Sequence, residues 1–519
     1  MNYIQSIIII VAVFNKFSEA ARLLGVFPMP AGSHNILANK LMVGFAKAGH
    51  HVTMISSHKT KNIPANASWD DIVLDGVADR FEITLRNINM FEDSNRSMLH
   101  KLKSYQYLMT DWLNTTLYHP KVRALLTKDT KFDAVVMEQF LNDAHKYFAH
   151  YFQCPLILLS STGANPWVNR IIMNPEQPSY VPYFLYEGDF NFKSLWDRFY
   201  NLFLYIQQYF LDIYFTDPFQ NELLQSAFPD APHIEELNKR ITIILLNSHE
   251  TLLDATPLVP NMVNIGGYHI DPPKKLPNKL QSYLDNNKQG VVYFSLGSNV
   301  KSKDMPIEKR QVFINVFKKL KQNVLWKFED ENITDLPENV LIQKWMPQQD
   351  ILAHPNIKLF ITHGGLLSTT ETIYHGVPIL AIPVFADQFR NAKKAVEDGY
   401  GLILPYNDPN FNEKSLLHLI NELLYFSNFT DNVKRKSKLF HDRPLRPMET
   451  AVFWLEYVLR NNGVEYLQVA GTKLPLYQFL LLDIIGIVLV SVISFYYIVS
   501  KSLHILFLRK KNRSKQKIN

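Results

Sequence analysis

Two α/β lobes built on parallel sheets, followed by one membrane-spanning helix, are what this 519-residue sequence predicts. Three observations predict it. Short apolar runs alternate with helical segments; the pattern restarts after a Pro-rich link, "GGYHIDPPKKLPNKL"; and an apolar stretch with one charge closes the chain before a basic tail. Strand–helix–strand alternation is the pattern of parallel sheets, whose ligands sit at the carboxyl ends of the strands. The length allows two or three domains.

The first half opens with "MNYIQSIIIIVAVFNKFSEAA", whose apolar stretch Ile7 to Phe14 and following small residues read as a signal peptide over residues 1–20. "ARLLGVFPMP" is the first strand, "AGSHN" a loop, and a helix runs from about Ile36 to Ala48, ended by Gly49. "HVTMISS", "KFDAVVMEQF" and "CPLILLSST" continue the strands of a lobe spanning residues 21–260. The segment "LWDRFYNLFLYIQQYFLDIYF" is a helix rich in aromatics, open to three readings: core packing, a hydrophobic channel, or contact with a membrane surface. In the second lobe, residues 261–472, "GVVYFSLGSNV", "VLWKF", "VLIQKWMP", "IKLFITHGG" and "VPILAIPV" are strands with helices between them.

"LYQFLLLDIIGIVLVSVISFYYIVS", residues 476–500, has only Asp483 as a charge. At ~1.5 Å per residue it crosses a ~30 Å hydrocarbon core. The tail, residues 501–519, carries seven Lys and Arg and no acid. Removing those charges from the net +6 of the chain leaves about −1 for the rest, so nucleic acid is not an expected partner. The basic flank faces the cytosol by the positive-inside rule, which makes a type I, single-pass membrane protein. Sequons of the expected lumenal portion begin at Asn66, Asn95, Asn114, Asn332 and Asn428, and Lys515 and Lys517 in "KQKIN" have the spacing of a dilysine endoplasmic-reticulum retrieval signal. Cys154 is the only cysteine, so no internal disulfide forms.

The stretch "FITHGGLLSTTETIYHGVPILAIPVFADQ", residues 360–388, carries the chemistry. A strand runs into Gly364-Gly365, a helix begins near Ser368, and Gly376 ends it. A helix start presents unpaired N–H groups and a positive dipole end, which suits a phosphate beside His363 and Ser368. Glu371 has the chemistry to accept from vicinal hydroxyls, and Asp387 and Gln388 that to bind sugar hydroxyls. Alone, the turn is equally an ordinary strand-turn-helix. Upstream, "KWMPQQDILAHP" adds Trp345 as a stacking surface for a planar base, and Gln348 beside it.

From Trp345 to Gln388 the spacing resembles the signature of the UDP-glycosyltransferases: W-x-P-Q, T-H-G-G, a Glu eight residues after the His, and D-Q. The resemblance covers nearly the whole chain, is closest to the animal membrane-bound branch, and leans towards insects through "FDAVVMEQF…ND" and "PLVPN". It implies a GT-B fold of two Rossmann-like lobes facing a cleft, the first binding acceptor and the second UDP-sugar. It puts Trp345 on uracil, Gln348 and Glu371 on the uridine, Ser298, His363, Gly365 and Ser368 along the diphosphate, and Asp387 and Gln388 on the sugar. One departure stands out: Leu366-Leu367 fills the place where many relatives have an Asn just before the Ser.

His34 follows the first strand, where the family has its general base. An imidazole with an unperturbed pKa of ~6.5 suits that task. Asp143 of "FLND" is the expected carboxylate behind it, with Glu138 as the alternative. The implied reaction is inverting transfer of a hexose, glucose first, from a UDP-sugar co-substrate to a hydroxyl of a small lipophilic acceptor. No metal and no resident cofactor are expected; the sequence has no Asp-x-Asp motif. Glucuronosyl transfer is the runner-up, disfavoured because vertebrate relatives that perform it carry an Arg where this chain has Asn247. A non-catalytic lipophile-binding membrane protein is the reading from another class. Membrane lipid is an expected partner, a homo-oligomer is left open, and the endoplasmic-reticulum membrane with lumenal lobes is the expected location. The walls of the acceptor site are expected in residues 90–107 and 167–186.

Overall fold

The computed structural model describes residues 20–87, 109–127, 129–186, 190–298, 300–330, 333 and 335–516. The signal segment, the sequons at Asn95 and Asn332, and the expected acceptor wall at residues 90–107 lie outside them.

The first lobe is a seven-stranded sheet in the order β3-β2-β1-β4-β5-β6-β7, every pairing parallel. Its strands are β1 (Arg22–Phe27), β2 (His51–Ser56), β3 (Trp69–Val73), β4 (Ala134–Glu138), β5 (Leu156–Ser160), β6 (Ile241–Leu246) and β7 (Met262–Asn264). The second is a six-stranded parallel sheet, β10-β9-β8-β11-β12-β13, from β8 (Val291–Ser295), β9 (Asn323–Lys327), β10 (Val340–Gln343), β11 (Ile357–Thr362), β12 (Ile379–Ala381) and β13 (Gly401–Ile403). The central strands β4, β5, β6 and β8 are buried at every residue. That explains their mostly apolar composition, interrupted only by Thr242 and by the last residues Glu138, Ser160 and Ser295: helices cover both faces of a parallel sheet.

The helices that matter for function are α1 (Gly32–Lys47), α2 (Leu195–Leu211), α3 (Ile307–Lys318), α4 (Gln348–Leu352), α5 (Leu366–His375), α6 (Gln388–Glu397), α7 (Pro447–Arg460) and α8 (Leu482–Gln516). α1 starts four residues before its expected position, so "GSHN" is helix and not loop. Gly, Ser and Asn read as loop formers, and Ala31 offers no side-chain cap. The turn is closed by the backbone, Asn35 N–H donating to Ala31 O at 3.0 Å. α2 continues through a π-turn (Asp212–Thr216) into a further helix, Asp217–Ala227.

Two elements cross the lobe boundary read from the sequence. β7 pairs with β6 beyond residue 260. α7 returns from the second lobe to bury Ala451, Leu455 and Val458 against the β1, β4 and α1 core of the first. Polar contacts cross between the lobes as well: Lys40 pairs with Asp271, Lys301 with Glu82 at 2.6 Å, and Tyr268 donates to Leu37 O at 3.2 Å.

Leu482–Arg509 is long and apolar enough to cross a membrane and buries none of its apolar window in protein. It begins six residues after the expected start.

Cys154 is buried, and that burial pushes its thiol up to about 12. Thiolate is the reactive form. A maleimide should therefore leave the native protein unlabelled and modify it only after denaturation, which a mass shift reads directly.

Candidate active site

Each sheet grows outward in both directions from a pair of adjacent strands: β1 and β4 in the first lobe, β8 and β11 in the second. Outside the carboxyl ends of such a pair, connections leave to opposite faces and open a crevice. Both crevices hold residues singled out in the sequence.

In the first, His34 sits in the first turn of α1, just after β1, and Glu138 is the last residue of β4. His34 Nδ1 lies 2.5 Å from Glu138 Oε1. The ring also meets Phe140 edge-on at 4.7 Å. Burial works to lower the imidazole pKa, but the Glu138 carboxylate, by charge and hydrogen bond, outweighs it and the net is a raised value. With Nδ1–H donated to Glu138, Nε2 is left as the acceptor.

Asp143, the expected partner, is not on this ring. It opens a buried 3₁₀ turn five residues past the end of β4, where Lys146 Nζ and the Gln139 amide donate to its Oδ1 at 2.5 and 3.1 Å. Burial opposes its charge, yet Lys146 holds it below the ordinary carboxylate range. The carboxylate orienting His34 is Glu138.

In the second crevice, β8 leads through Gly297 to Ser298, and β11 through His363 and Gly364 to Gly365, which caps α5. The His363 ring is packed between two glycines. A Cβ on Gly297 would fall 2.6 Å from its Cε1, and one on Gly365 2.5 Å from its Nε2. Gly297 also has φ +87°, a left-handed conformation that a side chain would strain. Burial, with the nearby Lys327 charge, pulls the His363 pKa to about 4. At neutral pH this ring is an uncharged N–H donor and not a cation.

The cation here is Lys327, which sequence reasoning missed. It ends β9, next to β8, and donates to Gly297 O at 2.5 Å, with Glu329 at 3.6 Å. A lysine at the carboxyl end of a strand flanking the switch point was the signal that could have found it.

Trp345 lies between β10 and α4 and is 73% exposed, free to stack. Gln348, first in α4, donates to Ser368 Oγ at 3.1 Å and to Glu371 Oε2 at 2.6 Å. Gln349 donates to the other Glu371 oxygen at 3.0 Å, and His269 stands 3.6 Å away. Burial alone would neutralise Glu371, but His269 and the two amides keep its pKa low. Both carboxylate oxygens are thus engaged within the protein, and a diol would take the place of an amide.

Asp387 and Gln388 are fixed by a strained turn. Ala386 has φ +56°, which costs on the order of 1–3 kcal/mol. Gln388 Oε1 accepts from Val384 and Phe385 N–H at 2.8 and 3.1 Å, which holds that turn. Asn391 donates both to Asp387 Oδ2 at 2.8 Å and to Gly364 O at 3.0 Å, tying the Asp-Gln turn to the His363 turn. Burial raises the Asp387 pKa, countered by Asn391 and by the His34 charge across the cleft. The two crevices face each other: a Cβ on Gly32 would lie 3.1 Å from Ser298 Oγ. The structure therefore gathers His34, Ser298, His363, Gly365, Asp387 and Gln388 at one cleft, with Trp345, Gln348, Ser368 and Glu371 forming the flank nearest α4. Asn247 is buried, its amide donating to Ser161 O at 3.0 Å.

Two doubly wound lobes with facing switch points make the GT-B fold. A solved structure described as CalG4, the calicheamicin glycosyltransferase, has this fold, with TM-score 0.58 and 16% identity over 86% of this chain and 98% of that one. The family model "UDP-glucoronosyl and UDP-glucosyl transferase" matches residues 22–517. UDP-glucosyltransferase 2 of Dactylopius coccus is 34% identical, covering 96% of each chain. UDP-glucuronosyltransferase 1A9 of Mus musculus is 29% identical over 93% of this chain and 92% of the relative. The chain belongs to the UDP-glucuronosyl and UDP-glucosyl transferase family, and it is a UDP-glycosyltransferase whose C-terminal helix is long and apolar enough to cross a membrane.

Donor binding gives a direct test of the α4 flank. Trp345→Ala should weaken UDP binding by roughly 1–3 kcal/mol, a usual loss for a base stacked on an aromatic ring. Calorimetry that finds unchanged UDP affinity would place the base elsewhere.

Proposed function

We propose that the protein transfers a hexose, glucose above others, from its UDP form to a hydroxyl of a small lipophilic acceptor, with inversion and without a metal. One observation carries this reading: His34, oriented by Glu138, faces Asp387 and the amino end of α5 across the cleft. The acceptor oxygen attacks the anomeric carbon while its proton passes to His34 Nε2. The bond from that carbon to the β-phosphate oxygen breaks, and UDP leaves with the electron pair. Glu138 and Asp387 stabilise the imidazolium as it forms. The α5 amides, neutral His363 and Lys327 meet the charge growing on the diphosphate. Lys327 offsets the absence of an Asn at Leu366-Leu367.

Glucose is favoured over glucuronic acid by Asn247, which offers no cation to a sugar carboxylate. The relatives include both a glucosyl and a glucuronosyl enzyme, so the donor is decided by assay. UDP release from UDP-glucose and UDP-glucuronic acid, measured with a panel of phenols with and without EDTA, tests donor, turnover and metal independence together. Turnover with UDP-glucuronic acid alone would reverse the donor assignment. No UDP release with any acceptor would favour a lipophile-binding protein without catalysis. The lobes are proposed to lie on the lumenal side of the endoplasmic-reticulum membrane, a reading supported by the basic residues that follow the apolar part of α8. Protease protection of the lobes in sealed microsomes, with the tail cleaved, is the expected outcome.

A further inference from the structure

The Pro-rich link between the lobes does more than connect them. Tyr268, His269 and Ile270 are buried, and the segment is gripped on two sides. Towards the first lobe, Asp271 pairs with Lys40 and Tyr268 O–H donates to Leu37 O at 3.2 Å, both on α1. Towards the second, the N–H groups of Asp271 and Lys274 donate to Gln349 Oε1 and Asp350 Oδ1 of α4, at 3.2 and 2.7 Å. Pro272 and Pro273, between these bonds, have a fixed φ and no N–H of their own. The link is a fixed backbone to which a side chain can be tied.

Gln349 is tied there. Its Oε1 accepts from Asp271, while its Nε2 donates to Glu371 Oε1 at 3.0 Å and to His269 O at 3.4 Å. Both ends of the amide are committed, and withdrawing it would leave a buried carboxylate oxygen and a link N–H unpaired, which is costly. His269 closes the same side. Its ring is fully buried, and Nε2 stands 3.6 Å from Glu371 Oε1, beyond hydrogen-bond reach. Neither ring nitrogen has a hydrogen-bond partner among the described residues. Glu371 Oε2 is placed differently. Its partner, Gln348 Nε2 at 2.6 Å, also donates to Ser368 Oγ at 3.1 Å, and so keeps a partner when it releases the carboxylate.

We propose that Gln349, backed by His269, is a positioning residue of the donor site. It holds Glu371 Oε1 against the link, so that Oε2 turns to the cleft and takes a vicinal diol in place of Gln348. The two adjacent glutamines then have separate tasks: Gln348 meets the ligand, and Gln349 aims the carboxylate. The inference rests on the proposed seat of the ribose at Glu371 and adds what fixes that side chain.

The full-length protein is titrated by calorimetry with UDP and with 2′,3′-dideoxy-UDP, which lacks the diol. The parent protein should prefer UDP by roughly ten-fold or more, since the analogue leaves a buried carboxylate without its hydroxyl partners. Gln349→Met, close to glutamine in length, should cut that preference by roughly five-fold, through weaker UDP binding and unchanged binding of the analogue. Gln349→Asn, too short to bridge link and carboxylate, should do the same and serves if the first variant melts early. Variants that weaken both ligands equally would show damage to the fold alone and overturn the proposal. Glu371→Gln runs in parallel. If it abolishes the preference while both Gln349 variants keep it, the positioning role falls and the ribose stays at Glu371. If Glu371→Gln itself keeps the parent's preference, the ribose lies elsewhere and both assignments fall.

Discussion

Replacing His34 with alanine should lower turnover by roughly 10²–10⁴-fold while UDP affinity stays near that of the parent protein. The residues proposed to hold the uridine and diphosphate belong to the second lobe, and His34 projects from the first turn of α1 in the other. The ring's strong polar contact is with buried Glu138, so its loss strips that carboxylate of its partner and should also lower stability. Thermal melting with and without UDP separates a lost base from a lost fold. A variant that melts normally, binds UDP and transfers sugar at full rate would remove His34 from the chemistry.

Glu138→Gln should be nearly as damaging, again roughly 10²–10⁴-fold in turnover. The amide can donate to Nδ1, which places the imidazole proton on Nε2, where the acceptor's proton has to go. The pH profile carries a second signature. Glu138 holds the His34 pKa above its ordinary value against the effect of burial. A base works only when unprotonated, so the rate of the parent enzyme rises as pH increases through that raised pKa. Without the carboxylate charge burial prevails, and the acidic limb of kcat/KM should move to lower pH. Asp143→Asn is the contrasting case. It strips buried Lys146 of its anion, which should cost stability of roughly 3–5 kcal/mol. The acidic limb should stay where it was. If Asp143→Asn moves the limb and Glu138→Gln does not, the assignment of the two carboxylates is reversed.

That pair shows where the sequence stops being legible. Both acids follow the apolar run of β4 within a few residues, and spacing alone does not say which side chain reaches the cleft. The answer depends on where the strand ends: Glu138 is its last residue, while Asp143 has already turned into the lobe interior beside Lys146. The His363 turn was readable because two glycines follow an apolar strand and Gly376, at φ +72°, closes the helix as a left-handed cap. The start of α1 was not, since "GSHN" carries loop-forming residues and the helix is fixed by backbone bonds and packing. The neutrality of His363 could not be read either, because it comes from burial between Gly297 and Gly365 and from Lys327, a neighbour far away in sequence. The same holds for β7 and α7, whose membership of the first lobe rests on long-range pairing. The aromatic helix is the reverse case. Its composition was plain, but only the structure shows that Asn201 and Gln208 face inward.

The central claim is a single displacement in which an acceptor oxygen, relieved of its proton by His34, enters opposite the departing UDP. The anomeric configuration of the product tests it most directly. With UDP-α-D-glucose and a simple phenol, the proton spectrum of the isolated glycoside should show the β-anomer alone, with the large coupling of axial H1 and H2. An α-glucoside formed at the enzyme would mean retention through two displacements or a front-side path, and would contradict the one-step role given to His34 and Glu138.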